Sequence, residues 1–361
     1  MSDSMILKLI VGLAGAWLVI FTLISAVRTF VLPRGENVLL TRWMFKSIYY
    51  LFFRIRAKKA QTYEQRDRAL SYYAPTGLLM LPLVSTLLIL IGYSGIYWAM
   101  GIQPWDDALM HSGSALLTLG TVPFTDFGVT LITFTEATLG LGLVALLISY
   151  LPTMYSAFSR REEMVSMLEV RAGSPPSAVE MIIRLHKIRG LDPYLLNETW
   201  EQWEVWFTGL EESHTSFLPL VYFRSQKPER SWVTAAGTIL DAAALFESTI
   251  KIDSNPQAQL TIRAGYLALR SICDVFRIHY PIDPSPCDPI SISQEEFNDV
   301  YDELQAAKIP LKADREQAWK DFAGWRVNYD IPLLTLARLI QAPYAIWVSD
   351  RSLPQIYMRK K

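Results

Sequence analysis

Cysteine is nearly absent: Cys273 and Cys287 are the two in 361 residues. That excludes a disulfide scaffold, and their spacing fits no metal-binding motif. Net charge is equally scarce, at −1, so the overall balance favours no polyanionic partner and no nucleic acid. The strings that carry chemistry in many enzymes are missing too. There is no P-loop, no G-x-S-x-G elbow, no H-E-x-x-H and no EF-hand loop. No low-complexity tract and no internal repeat occurs. We therefore expect no enzyme: no catalytic residue, no metal site and no bound cofactor.

What is abundant is apolar sequence, 51% of the chain, and its longest runs all lie before residue 153. The first run spans about Met5 to Val31, enough to cross ~30 Å of hydrocarbon at ~1.5 Å per residue. It is too long for a cleaved leader and lacks a small-x-small cleavage site. Lys8 precedes most of it, whereas Arg28, Arg34, Arg42 and Lys46 follow. The positive-inside rule places that later side in the cytoplasm and the amino terminus outside. A further run from Thr76 to Met100 is opened by Pro75, and another from Val129 to Leu151 is ended by Pro152 and followed by Arg160 and Arg161. These cross outward and back. Residues 38–56 are apolar but carry Arg42 and Lys46, each costing roughly 2.5–3.5 kcal/mol in mid-membrane. We read an amphipathic helix in the cytoplasmic interface there, with a true span as the alternative.

Between the last two runs lies GIQPWDDALMHSGSALLTLGTVPFTDFG, residues 101–128. Pro104 and Asp106 are helix-start signals, with Asp able to cap. Asp107 to Leu117 reads as a helix too short to span. A short helix and then a threonine-rich stretch between two spans indicate a re-entrant loop, which needs burial in protein or a water path. The helix would aim the negative end of its dipole at the membrane centre, where it favours a cation.

The order outer helix, pore helix, filter, inner helix resembles the pore unit of potassium channels. Thr118-Leu-Gly-Thr-Val-Pro-Phe-Thr-Asp126 is similar to that family's T-L-T-T-V-G-F-G-D signature, matching at Thr118, Leu119, Thr121, Val122, Phe124 and Asp126. Asp107-Ala108-Leu109 resembles the start of the pore helix in bacterial two-helix channels, and Glu136 with Gly140 resembles residues of their inner helix. The likeness covers residues 76–155. It implies a homotetramer around one axis, with membrane lipid as the surrounding partner and monovalent cations as the permeant species. The implied filter is Thr121, Val122, Pro123, Phe124 and Thr125, with Asp126 at the pore mouth. Glycine stands in the family where this chain has Pro123 and Thr125. Proline fixes φ near −65° and removes a donor, so an unbroken ladder of carbonyls around dehydrated potassium does not follow. We expect pore architecture with altered selectivity: a wider, partly hydrated path lined by Thr121 and Thr125, or else a closed loop.

Each inner-helix residue carries two readings. Glu136 at membrane depth is a functional candidate or a brace behind the loop. Gly140 and Gly142 are a gating hinge or a site of close helix packing. Asp126 attracts cations or is a satisfied loop carboxylate. His111 is read as packed rather than as a metal ligand.

After Pro152 a polar helical stretch runs to Arg171 and breaks at Gly173-Ser-Pro-Pro176. Helix starts follow at Ser177 with Glu180, Ser231, Ser293 with Glu296, and Asp314 with Gln317. Helical periodicity marks 194–212, 231–250, 257–279, 293–307, 315–328 and 332–341. No strand pattern and no G-x-G-x-x-G turn is present, which argues against dinucleotide and β-roll ligand modules. Trp200, Trp203, Trp206 and Phe207 share one helical face and read as core, with membrane or subunit docking as the minority reading. Glu211, Glu212 and His214 read as a solvated helix end, with a divalent-cation site as the minority reading. The expected organisation is all-α. It comprises a transmembrane helix and interfacial helix (1–74), a pore domain (75–155), a connecting helix (156–173) and a cytoplasmic domain of six to eight helices (174–361). The expected location is the plasma (inner) membrane, multi-pass. The leading function is an ion channel; a non-conducting receptor or scaffold with a pore-like fold is the alternative, and a transporter is weak without an inverted repeat.

Overall fold

The computed structural model describes residues 2–30, 39–56, 60–120, 126–252 and 255–351; the expected filter residues Thr121, Val122, Pro123, Phe124 and Thr125 lie outside them. The described residues are helical and contain no strand, apart from an isolated antiparallel bridge between Ile250 and Leu311. Three stretches are long and apolar enough to cross a membrane: Met5–Phe30, Tyr63–Ala99 and Phe127–Ala172. The chain packs as two units, Met1–Lys59 with Ala69–Ser156, and Ala60–Arg68 with Ala157–Lys361.

In the first unit, α1 (Ser2–Phe30) lies antiparallel to α4 (Tyr73–Ala99). Glycines set their separation. A Cβ on Gly15 would lie 2.4 Å from the Gly92 carbonyl oxygen, and one on Gly92 would lie 2.7 Å from Val19 Cγ2. In lipid, helices gain little by hiding apolar surface, so close backbone approach through small residues supplies the attraction. Between these helices, α2 (Leu39–Tyr49) continues into a π-helical turn, Tyr50–Arg56. Phe45, Tyr49, Phe52 and Phe53 all pack against the single ring of Tyr73, with centroids 5.4–6.5 Å away. Residues spread over two turns thus meet α4 at one level, near its start. Arg42, Trp43 and Lys46 stay exposed.

Pro152 does not end the helix that follows the loop. α6 runs unbroken from Phe127 to Ala172 with the proline inside it. The lost N–H is one bond, and beyond it Ala157, Arg161, Val165, Leu168 and Ala172 are buried at three- and four-residue intervals. Val165, Leu168 and Ala172 belong to the core of the second unit, so this part of α6 is packed along one face. Residues 60–68, read from sequence with the membrane part, also pack in the second unit. Arg224 is ion-paired with Asp67. It donates to Tyr63 Oη at 3.0 Å and, through Nη2, to the carbonyls of Ile340 and Gln341 at 2.5 and 3.0 Å.

The rest of the second unit consists of α7 (Ala178–Arg189), α8 (Pro193–Ser216), a 3₁₀ turn (Leu218–Tyr222), α9 (Trp232–Thr249), α10 (Pro256–Val275), α11 (Gln294–Ala306), α12 (Arg315–Arg326) and α13 (Asp330–Ile340). The expected caps are present. Ser177, Ser231 and Asp314 accept from the first-turn amides, and Ser293 with Glu296 forms a full capping box. Every residue of α9 except Glu247 is buried, making it the central helix around which the others pack. Trp200, Trp203, Trp206 and Phe207 lie in this core.

Two charged groups are sealed inside the unit. Arg326 donates to Asp241 at 2.5 Å, to Asp330 at 2.8 Å and to the Trp347 carbonyl at 2.7 Å. Tyr329 donates to Asp241 at 2.9 Å. Burial pushes the Asp241 carboxyl up, opposed by the Arg326 guanidinium; burial also opposes the charge on Arg326, but the two carboxylates hold it charged. Arg161 is the second. It donates to the carbonyls of Leu220 and Phe223, both at 2.9 Å, and lies 3.2 Å from His214 Nε2.

His214 therefore corrects the expectation of a solvated helix end: it is fully buried. Its Nδ1 lies 3.0 Å from the Leu210 carbonyl; the ring donates there, leaving Nε2 to accept from Arg161. Burial, and then the neighbouring guanidinium, drive its pKa well below the usual histidine value. The unfolded chain binds a proton at ordinary histidine pKa, ~6.5, that the folded chain refuses, so stability falls as pH drops below that value. Hydrogen exchange of α8 and α9 amides should show the opening free energy falling by up to about 2 kcal/mol from pH 7 to pH 5. His214→Gln should flatten that dependence; an unchanged slope would show that the proton is taken up elsewhere.

Candidate functional site

The segment between α4 and α6 opens with α5 (Trp105–Leu116), which begins after Pro104 with no side-chain cap. Asp106 is thus a first-turn residue and not the cap; with Asp107 it suits the positive end of the helix dipole. Twelve residues give a helix about 18 Å long. It ends in a Schellman arrangement: Leu119 N donates to Ser114 O at 2.8 Å and Thr118 N to Ala115 O at 3.1 Å. That closure requires a left-handed residue, usually glycine. Here it is Thr118, at φ +53°, a β-branched residue in a region that such side chains avoid. Gly120 takes φ +67° two residues later.

The end of α5 lies against the first third of α6, at the centre of its apolar stretch. A Cβ on Gly140 would stand 2.2 Å from the Leu116 carbonyl oxygen, so only glycine admits this approach. Gly140 is the midpoint of the apolar stretch 129–151. A Cβ on Gly142 would touch nothing. Gly140 thus lies in close contact with the end of α5, and Gly142 stands on an open face.

Glu136, one turn earlier on α6, is completely buried. Tyr97 of α4 donates to its Oε2 at 2.8 Å, and Ser112 of α5 lies 2.5 Å from Oε1 and 3.0 Å from the Leu90 carbonyl. His111 Nε2 is 3.1 Å from Thr133 Oγ1, which itself donates to the Val129 carbonyl at 2.9 Å. The imidazole therefore donates from Nε2, and its ring packs 4.5 Å from that of Tyr97. The result is a polar knot joining three helices. Within it Glu136 accepts from two helices and His111 packs against Tyr97. Asp126 is exposed and starts α6: its Oδ2 accepts from Gly128 N at 3.1 Å, and its carbonyl accepts from Thr130 N at 3.0 Å. Its carboxylate thus caps the first turn of α6 while staying exposed.

Sequence reasoning did not single out Tyr97, Ser112 and Thr133. The available signal was hydroxyl side chains on otherwise apolar helices, which need partners in lipid. A second face of α6 also went unread. From Thr138 onward, Gly142, Ala145, Ser149, Thr153 and Ser156 recur at three- and four-residue spacing and are all exposed, whereas the neighbouring exposed face carries Leu141, Val144 and Ile148. Among the described residues no cluster of metal-ligating side chains occurs.

Gly140→Ala should prevent α5 from seating and lower the thermal stability of the purified chain by several degrees, while Gly142→Ala should leave it unchanged; equal effects would mean that the α5–α6 approach is not constraining. Glu136→Leu removes the acceptor that Tyr97 and Ser112 share, leaving Ser112 only the Leu90 carbonyl at 3.0 Å and Tyr97 only the Thr133 hydroxyl at 3.3 Å, and should lower the stability by about 1–3 kcal/mol. Glu136→Gln, which keeps an acceptor for Tyr97, should retain most of that stability in the same melt. No protein-family model, no curated protein and no solved structure matches this chain, so its function is argued from the site itself.

Proposed function

We propose that the chain is one subunit of a potassium-channel-like tetramer that passes monovalent cations across the plasma membrane with altered selectivity. The observation that carries this reading is the seating of a short helix against the centre of an apolar one, Leu116 on Gly140, with Glu136 tying both to α4. A helix that enters the membrane only to its middle must be followed by chain that returns to the surface, and non-helical chain at that depth requires protein or water around it. The carbonyl end of α5 faces the same depth, where it favours a cation.

The exposed small and hydroxyl-bearing face of α6 supports the reading. Ser149 and Thr153 return their protons to carbonyls of their own helix, at 3.0 and 2.9 Å, and so are tolerated beside lipid, but a face of such residues packs better against protein or water than against acyl chains. In this picture α4 is the outer helix, α6 the inner helix, and residues 121–125 the filter, with the amino terminus outside and the second unit in the cytoplasm. Pro123 and Thr125 replace residues that would let consecutive carbonyls converge on a bare ion, so the path holds a partly hydrated cation. Thr121 and Thr125 supply its hydroxyls, and Asp126 its outer charge.

Flux through the purified chain in liposomes tests this. The wild type should pass monovalent cations with little distinction between sodium and potassium. Pro123→Gly with Thr125→Gly should shift the preference toward potassium by on the order of tenfold, ~1.4 kcal/mol. Absence of flux in both proteins, over a range of pH and calcium, would favour a non-conducting receptor or scaffold closed at Pro123.

A further inference from the structure

Two grooves in the second unit flank the last turns of α6. One, between α6 and α8, is a cleft of about 610 Å³. Its α8 wall carries Glu198, Glu201 and Glu212, all exposed, beside Val205, which is 68% exposed although apolar. The other, between α6 and α7, is a cavity of about 350 Å³ that includes Met167, Val170, Leu185 and Ile188. Val170 and Ile188 are 77% and 71% exposed. Arg171 and Arg184 border it, and Lys187 is exposed one residue before Ile188.

We propose that the α6–α7 groove of one copy seats the α8 edge of a neighbouring copy, so that the second units join head to tail around an axis. Both edges pair an exposed aliphatic residue with charge, and the charges are opposite: Glu198 and Glu201 on the α8 edge with Val205, Arg171 and Lys187 beside Val170 and Ile188, while Arg184 is already ion-paired with Glu180 and Arg160 lines the α8 cleft from the α6 side. A second copy satisfies both edges at once. A lipid surface would satisfy the basic edge and leave the acidic one unmet. The two edges lie on different helices of the same unit, which makes the contact heterologous; such contacts close into rings when the rotation permits. This inference rests on the oligomeric reading of the pore unit, and it names the surface by which the second unit follows that symmetry.

The test uses the full chain in detergent with Cys287→Ser, since Cys287 is exposed and Cys273 buried. One tagged copy carries Ile188→Cys and a differently tagged copy carries Val205→Cys. The mass of the assembly is measured first, and the co-expressed pair is then oxidised. The expected result is a disulfide-linked band bearing both tags, with neither variant linking to itself when expressed alone. Glu198→Arg with Glu201→Arg on the Val205→Cys copy should cut that band at least severalfold. Arg171→Glu with Lys187→Glu on its partner should restore it. An oligomeric chain without the mixed band, or with self-linked Ile188→Cys, overturns this interface and leaves the channel reading standing; a monomeric chain overturns the channel reading. Protection of Ile188→Cys from thiol reagents only in anionic bilayers, without the mixed band, would assign the basic edge to lipid and likewise overturn the proposal.

Discussion

A carboxyl group within the apolar stretch of a membrane helix must find its hydrogen-bond donors inside the protein, because the surrounding hydrocarbon offers none. Glu136 meets that demand with one hydroxyl from α4 and one from α5. Placing those donors fixes much of the first unit. Ser112 can reach the carboxyl only if α5 descends beside α6, and Tyr97 can reach it only if the last turns of α4 lie against both. Leu116 then arrives at the backbone of Gly140, where any side chain would block it. A single buried polar group thus positions three helices, a specifying role that apolar contacts alone fill poorly because they are non-directional.

The second unit uses buried charge in a similar way, in a different solvent. Arg326 holds two aspartates, one on the central helix α9 and one at the start of α13, together with a carbonyl from the segment after α13. Replacing such a group with apolar side chains can be neutral, but deleting one partner leaves an uncompensated buried charge costing about 3–5 kcal/mol. Arg161 and His214 repeat the logic between the last part of α6, α8 and the 3₁₀ turn. Here a guanidinium and a histidine coexist because the histidine stays neutral and accepts.

The spans, the helix starts and the tryptophan face were legible because each is a local signal: an apolar run, a Ser or Asp before it, or a period of three and four. The failures share a cause. Pro152 reads as a stop in isolation, yet the stripe beyond it has tertiary partners that carry the helix on. His214 reads as exposed beside Glu211 and Glu212, yet it turns inward to an arginine 53 residues away. Residues 60–68 read as part of the membrane segment 1–74, yet Arg224 captures Tyr63 and Asp67. None of these partners is adjacent in sequence. Thr118 failed differently: a β-branched residue in a glycine conformation is contrary to local preference, so no local rule finds it. Such strain, on the order of 1–3 kcal/mol, persists where the surroundings over-determine it, as at binding and catalytic sites.

That last point bears on why the loop departs from the potassium-channel signature. The end of α5 is closed by two hydrogen bonds through Thr118, and Gly120, where the signature has threonine, supplies a second left-handed residue. The conformational freedom that the family places later, at the positions of Pro123 and Thr125, is here placed earlier. Two left-handed residues within three positions turn the backbone sharply as it leaves α5. The knot at Glu136 holds α5 against α6 behind that turn.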